Sequence, residues 1–427
     1  MNVPASQDLS GWLAYIERQH PQSIALGLER VARVGEAMGL APGVPVITVG
    51  GTNGKGSTCA MLEAMLTAAG YRVGLYTSPH LQRYNERVRI AGREADDAAL
   101  AAAFARVEAA RRDGADNTHL TYFEFGTLAA VDLFLRSGVD VLVLEVGLGG
   151  RLDAVNIFGA DCAVVSSVGM DHMDYLGATR EAIAYEKAGI FRGGKPAVIA
   201  EPAPPASMLA HAQQIGAKPL LIGRDFGYEA AGPSWNYRGV GGHRPGLPRP
   251  ALFGAVQLRN ACAALAALDA LAARLPLERA ALERGLASAR LAGRFEQIAG
   301  RPPLLLDVAH NPQAAEVLAQ NLAETGGGAR TLGVFGMLRD KDIAAVATIL
   351  CPHVDRWFVC ALPPPRGASA AELTHALQSA GASDVRAFEN PALAYAAACS
   401  AASGNDRIAA FGSFYTVADV MAARERG

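Results

Sequence analysis

With 427 residues the chain is long enough for two domains, since single cores rarely grow beyond ~250–300 residues. Hydrophobic residues reach 51% and charged residues 19%, which supplies ample apolar surface for packed cores. A formal net charge of −2, a pI near 6.5 and scattered Lys and Arg set aside a nucleic-acid binder, which usually carries a basic face.

Residues 1–19 lack the positive region and apolar core of a secretory leader, and no run reaches the ~18 uninterrupted apolar residues of a membrane span. A strand-like run, Val46–Val49, then empties into Gly50-Gly51-Thr52-Asn53-Gly54-Lys55-Gly56-Ser57-Thr58. Glycines there let backbone amides crowd toward one point without Cβ obstruction. A predicted helix, Ser57–Ala69, follows and stops at Gly70. Amide dipoles, a helix N-terminus and the Lys55 ammonium together suit a polyphosphate, and Ser57 is placed to hold magnesium. The common phosphate loop starts on glycine and has Ser or Thr straight after its lysine. Here Val49 holds the first position and Gly56 follows Lys55, which moves the hydroxyl to Ser57.

Further strands are predicted at Val73–Tyr76, Val141–Val146, Cys162–Ser166 and Ala197–Ala200. Strands that are apolar throughout and separated by helices imply a mostly parallel sheet covered on both faces. Residues 1–289 therefore read as an α/β nucleotide-binding domain of the P-loop type. Within it, 224–250 is rich in Gly, Pro and aromatics and reads as short strands and loop. Helices are predicted at Ala261–Arg274 and Leu277–Ala289. A second alternation of five βα units runs from Leu304 to Glu425, so 294–427 reads as a smaller Rossmann-like α/β domain. It has no G-x-G-x-x-G after its first strand, which argues against a dinucleotide there. Six cysteines stand far apart, mostly in apolar runs, and read as reduced thiols of a cytoplasmic protein.

Other side chains fall where ligands bind in open parallel sheets, beyond the carboxyl ends of strands. Glu145 ends a strand and is a candidate magnesium ligand. Asp171-His172 follows the strand at Cys162 after a short turn, and its expected place on the same sheet edge favours a functional histidine over a structural one. Asp307 and His310 follow the first strand of the second domain. Asn260 precedes an alanine-rich run and reads as an N-cap. Arg294 suits a phosphate contact and a surface ion pair equally on spacing alone. Nothing in spacing assigns chemistry to Lys187.

The loop Gly51–Ser57 is similar to the nucleotide loop of the Mur ligases, which form amide bonds with ATP. Thr77-Ser78-Pro79-His80-Leu81, Glu86-Arg87-Val88-Arg89, Thr121-Tyr122-Phe123-Glu124 and Glu145 through Asp153 resemble the folylpolyglutamate synthase branch of that superfamily. So do Asp171-His172, Glu186 through Ile190, Gly293 through Glu296, Asp307 through Pro312 and Gly412-Ser413-Phe414. The series runs in order from about Trp12 to about Asp419, and within the branch it is most like the bifunctional bacterial dihydrofolate and folylpolyglutamate synthases.

The resemblance implies an ATP-dependent ligase that adds L-glutamate to dihydropteroate and to the γ-carboxyl of reduced folates through an acyl phosphate. Implied cofactors are ATP, one or two magnesium ions and potassium. Implied ATP contacts are Thr52, Asn53, Gly54, Lys55, Gly56, Ser57, Asn260, Arg294 and Asp307. Implied metal ligands are Ser57, Ser78, Glu145, His172 and a carbamylated Lys187. Ala25, Leu26, Gly27, Thr121, Tyr122, Phe123, Glu124, Leu152, Asp153 and Ala154 match the pterin pocket. Lys55, His172, Lys187 and His310 are the expected catalytic residues. Partners are expected to be small molecules only, with no nucleic acid or membrane, and the protein a monomer. The alternatives are a folylpolyglutamate synthase without the dihydropteroate activity, and a P-loop ATPase whose hydrolysis drives a partner.

Overall fold

The computed structural model describes residues 8–20, 24–325 and 330–426; residues 1–7, on which part of the N-terminal leader reading rests, lie outside them. The chain forms two compact units. The first comprises the chain up to Val168, Met173–Ala251 and Leu258–Ala289. The second takes Gly169–His172, Leu252–Gln257 and the chain from Arg290 onward.

The first unit is built on an eight-stranded sheet: β1 (Val46–Gly50), β2 (Val73–Tyr76), β3 (Val88–Ile90), β4 (Arg93–Glu94), β5 (Val141–Glu145), β6 (Cys162–Val165), β7 (Pro196–Ile199) and β8 (Lys218–Leu221). Their order is β4-β3-β2-β5-β1-β6-β7-β8. Pairing is parallel except where β3 joins β2 and β4. The apolar runs form the buried centre as their composition requires. The sequence pattern does not reveal β3, β4 and β8, because they are short, charged or carry a proline tolerated only at an edge. β1 lies between β5 and β6, with Val49 level with Glu145 and Gly50 level with Val165. The chain leaves β1 toward β2 on one side and later passes to β6 on the other, so β1 is the topological switch point where such sheets bind ligands.

The glycine-rich segment 224–250 folds into a small antiparallel sheet of β9 (Gly227–Ala231), β10 (Ser234–Gly239) and β11 (Gly242–Pro248). The Tyr237 hydroxyl donates to Asp269 at 2.7 Å, and Arg244 pairs with the same carboxylate at 2.6 Å, tying this sheet to the helix Val256–Ala270.

The second unit has six strands: β12 (Glu296–Ile298), β13 (Leu304–Asp307), β14 (Thr331–Phe335), β15 (Arg356–Cys360), β16 (Val385–Phe388) and β17 (Arg407–Phe411), in the order β12-β13-β17-β14-β15-β16. Only β12 is antiparallel to its neighbour. Phe335, Trp357 and Phe411 meet at ring distances of 5.5–5.9 Å in its core.

Candidate functional site

The turn after β1 is shaped by what surrounds it. Gly51 has φ +142°, and a Cβ there would lie 2.0 Å from the Ser166 hydroxyl. Gly54 has φ +87°, and a Cβ there would lie 2.5 Å from Asn260 Oδ1. The loop is pinned from the end of β6. Thr52 N–H donates to the Ser167 carbonyl and Asn53 N–H to the Ser167 hydroxyl, both at 2.9 Å. The Ser166 and Ser167 hydroxyls donate to the Asn53 carbonyl at 2.6 and 3.0 Å. The helix that follows starts at Lys55, two residues earlier than the sequence pattern predicts, with Gly54 as its left-handed N-cap. The amides of Lys55, Gly56 and Ser57 therefore open a helix and have no acceptor inside it. The Lys55 ammonium folds back over the loop onto the carbonyls of Gly51 at 3.0 Å and Thr52 at 3.2 Å. Backbone donors, a fixed cation and a buried Ser57 hydroxyl together form an anion cradle.

Asn260 departs from its expected place. It does not cap a helix; Val256 to Arg259 already belong to that helix, which puts Asn260 inside it with its side chain against Gly54. The residues before Asn260 are as helix-compatible as those after it, so composition gave no start signal.

Glu145, at the end of β5, accepts the Ser78 amide at 3.2 Å, which brings two candidate metal ligands together. With the Ser57 hydroxyl these are oxygen donors, the type a hard cation prefers, so the donor chemistry fits magnesium. Among the described residues no group of three or more His, Cys, Asp and Glu is placed to hold a metal ion. Lys187 is buried near the end of helix Arg180–Ala188. That helix end is clamped to the turn after β5: the Arg151 amide donates to the Glu186 carbonyl at 2.8 Å, and Arg151 pairs with the Glu186 carboxylate at 2.8 Å. A Cβ on Gly150 would lie 3.1 Å from the Lys187 carbonyl.

The three segments matched to a pterin pocket adjoin one another. Arg30 bridges the Ala25 carbonyl at 2.7 Å and the Glu124 carboxylate at 2.9 Å. Gly27 N–H meets the Leu152 carbonyl at 3.5 Å. Thr121 and Glu124 form a reciprocal capping box at the start of helix Tyr122–Arg136. The Phe123 ring lies where any Cβ on Gly147 would collide with it. Asp153 accepts the amides of Leu148 at 2.9 Å and Val155 at 3.1 Å. Burial pushes its carboxyl up to about 7, against the opposing pull of those amides and of Lys55.

In the second unit, Asp307 ends β13 and accepts the amides of Phe295 at 2.9 Å and Ala309 at 2.8 Å. Burial raises its carboxyl to about 6, with Arg294 the strongest influence in the other direction. The Arg294 guanidinium stands 5.2 Å over the Phe414 ring, and His310 lies 6.3 Å from the same ring. Asp171 is the hub of this unit's polar cluster. It receives Lys341 at 2.6 Å and Asn311 at 3.1 Å, and His310 Nε2 stands 3.5 Å away. Burial opposes its ionisation, but the His310 contact and the nearby His172 and Lys341 charges outweigh it and hold the carboxyl well below the usual range. His172 has φ +52°, and its Nε2 lies 3.3 Å from the Lys341 ammonium.

Sequence reasoning missed Ser166, Ser167 and Lys341. The two serines sit where β6 meets the loop, a contact no local pattern encodes. Lys341 follows β14 and precedes the helix Ile343–Leu350, so the carboxyl-end rule that selected Asp307 would have found it.

A phosphate-binding turn at the switch point of one α/β unit, with a second parallel α/β unit behind it in sequence, defines a nucleotide-using enzyme of two α/β units. Residues 49–268 match the Mur ligase middle domain, and 293–414 match the Mur ligase, glutamate ligase domain. The chain is 46% identical over 418 residues to an Escherichia coli K12 dihydrofolate synthase/folylpolyglutamate synthase, covering 98% of this chain and 96% of that one. It superposes with a TM-score of 0.93 and 44% identity on E. coli FolC in complex with DHPP and ADP, covering 100% and 99% of the two chains. It also superposes at 0.91 and 44% identity on a bifunctional folylpolyglutamate synthase/dihydrofolate synthase with Mn, AMPPNP and L-glutamate bound, covering 99% and 100%. The chain belongs to the dihydrofolate synthase/folylpolyglutamate synthase family of Mur ligases.

Proposed function

We propose that this protein is an ATP-dependent ligase that joins L-glutamate to dihydropteroate, forming dihydrofolate, and to the γ-carboxyl of reduced folates. The loop Gly51–Ser57 carries this reading: its glycines, helix-opening amides and Lys55 form a polyphosphate cradle. The ADP, AMPPNP, DHPP and L-glutamate seen in the solved relatives support the same nucleotide and substrates here, and their Mn supports a divalent cation, Mg2+ with ATP.

A carboxylate is a poor electrophile in water. On this reading a carboxylate oxygen of the acid attacks the γ-phosphorus of ATP, the bond to ADP breaks, and an acyl phosphate forms. The amine of glutamate then attacks the acyl carbon, inorganic phosphate leaves and the amine loses a proton. Such transfer depends mainly on positioning and charge neutralisation. Lys55 and the loop amides hold the β- and γ-phosphates, and Asn260, Arg294 and Asp307 are the further nucleotide contacts. Bound magnesium would supply charge neutralisation between the two anions. Ser57, Ser78, Glu145, His172 and a carbamylated Lys187 are the residues that would hold it. Residues 25–27, 121–124 and 152–154 bind the pterin, and His310 assists the incoming glutamate. A Lys187→Ala variant should lose activity that a short carboxylic acid partly restores; full activity without the acid would discard the carbamate.

We further read the protein as a cytoplasmic monomer with no nucleic-acid or membrane partner. The near-neutral charge and six free cysteines support this, and sedimentation of the purified chain tests the monomer. No helix among the described residues is long and apolar enough to cross a membrane.

The decisive assay supplies Mg2+, ATP and L-glutamate with dihydropteroate or, separately, a reduced folate. Glutamate-dependent ADP release with both acids is expected. Release with the folate alone would leave only the polyglutamylating activity. Hydrolysis indifferent to glutamate would overturn the ligase.

A further inference from the structure

Three arginines lie within seven residues on the segment that leads into and includes β3, and two of them have acidic partners. Arg83 meets Asp97 at 3.4 Å, and Arg89 meets Glu63 at 3.1 Å. Arg87 differs. Its neighbour Glu86 turns both oxygens to the backbone, accepting the amides of Leu81, Gln82 and Arg83 at 2.7 Å each. Among the described residues no acid pairs with Arg87, although it is half-buried.

The side chain is nevertheless held firmly. Its guanidinium lies 5.4 Å from the ring centres of both Tyr84 and Tyr122, and its Nε donates to His80 Nδ1 at 2.7 Å. Tyr122 packs edge-on against Tyr84 at 5.9 Å. The Tyr84 and Tyr76 hydroxyls in turn crowd Gly126, 2.4 and 3.1 Å from where a Cβ would sit, so only glycine lets the helix approach this aromatic wall. Tyr122 belongs to one of the candidate pterin segments, and Tyr76 packs on Phe123 of the same segment at 5.7 Å.

Removing a cation from water without an anion is costly, and two tyrosine faces offset only part of that cost. The Tyr84 and Tyr122 rings, only 5.9 Å apart, lie on the same side of the guanidinium, and His80 takes its Nε. The Tyr76 hydroxyl also approaches the guanidinium, but all these partners are neutral, so the fork, which can match a carboxylate with two parallel hydrogen bonds, still lacks an anion. A charge fixed in advance binds an anion without paying to order the side chain.

We propose that Arg87 is a substrate-binding residue: packed against Tyr84 and Tyr122 and oriented by His80, it receives a carboxylate of the acid substrate. This rests on the ligase reading. That carboxylate is either the reacting one, present in dihydropteroate and folate alike, or the α-carboxylate, which dihydropteroate lacks.

The test compares full-length Arg87→Met and Arg87→Lys with the unchanged protein. It reads the KM for each acid and for ATP, together with reduced-folate binding by equilibrium dialysis. The methionine variant should raise the KM of the acid substrate about tenfold or more, with ATP KM unchanged and lysine recovering part of the loss. A rise for both acids identifies the reacting carboxylate, and a rise for the folate alone identifies its α-carboxylate. Adding His80→Ala to Arg87→Met should cost nothing further. Acid KM and folate binding both unmoved, or ATP KM shifted as much, would overturn the assignment. If circular dichroism shows the methionine variant misfolded, the lysine variant decides, since it keeps the charge and loses the fork. Unchanged protein that turns over neither acid refutes the ligase reading instead, while dialysis still reports on Arg87.

Discussion

The turn after β1 and the turn after β13 occupy the same topological place, each following the first parallel strand of its unit and opening a helix. They use that place in opposite ways. The first is stripped of side chains at Gly51 and Gly54, leaves helix-opening amides to an outside acceptor and adds a lysine. The second supplies its own acceptors: Asp307 takes the amides of Phe295 and Ala309, and the Asn311 side chain takes that of Ala314 at 2.9 Å. Topology thus fixes where donors converge, and the residues there decide whether the protein or a ligand satisfies them.

Removing the cation should break the contrast most sharply. Lys55→Ala should lower kcat/KM about a thousandfold with little change in melting temperature; near-normal ADP release would refute the cradle. Refilling the stripped turn comes next. Gly51→Ala forces a strained φ and a collision with Ser166, so nucleotide affinity measured by calorimetry should fall about tenfold to a hundredfold. In the second turn, the raised pKa of Asp307 means the folded protein holds a proton that the unfolded chain has released. Its stability should therefore decline as pH climbs from about 4 to about 6, then level off. Relative to Asp307→Asn, which cannot titrate there, the melting temperature should slip by a few degrees across that window; parallel profiles would show Asp307 ionising normally. The smallest effect is expected from Ser166→Ala, which loses the 2.6 Å bond to the Asn53 carbonyl: about a threefold rise in ATP KM.

The first turn was legible in sequence because its chemistry is local: glycines, Lys55 and the preceding apolar strand are consecutive. The parallel strands were legible for the same reason, their burial on both faces being written as unbroken apolar runs. What escaped depends on partners distant in sequence. Asn260 was misplaced at a helix start because its contact, Gly54, lies in another part of the chain. Ser166 and Ser167 have no local signal, because their contacts with the loop exist only once β6 lies beside it. The short strands expected within 224–250 are present as β9 to β11, with Trp235 and Tyr237 buried; only their pairing lay beyond local propensity.

The fit of Asn260 against Gly54 also has a consequence for how the protein is made. The helix Lys55–Ala68 is covered by helix Arg279–Ser288 so closely that a Cβ on Gly285 would lie 2.4 Å from the Met65 Cα. A ribosome that has released the glycine loop must still add more than two hundred residues before both covering pieces exist. At ordinary elongation rates the first ~290 residues take roughly 15–60 s. Through most of that interval the nascent chain carries its phosphate-binding turn without the walls that shape it, so competence for ATP arrives late in synthesis.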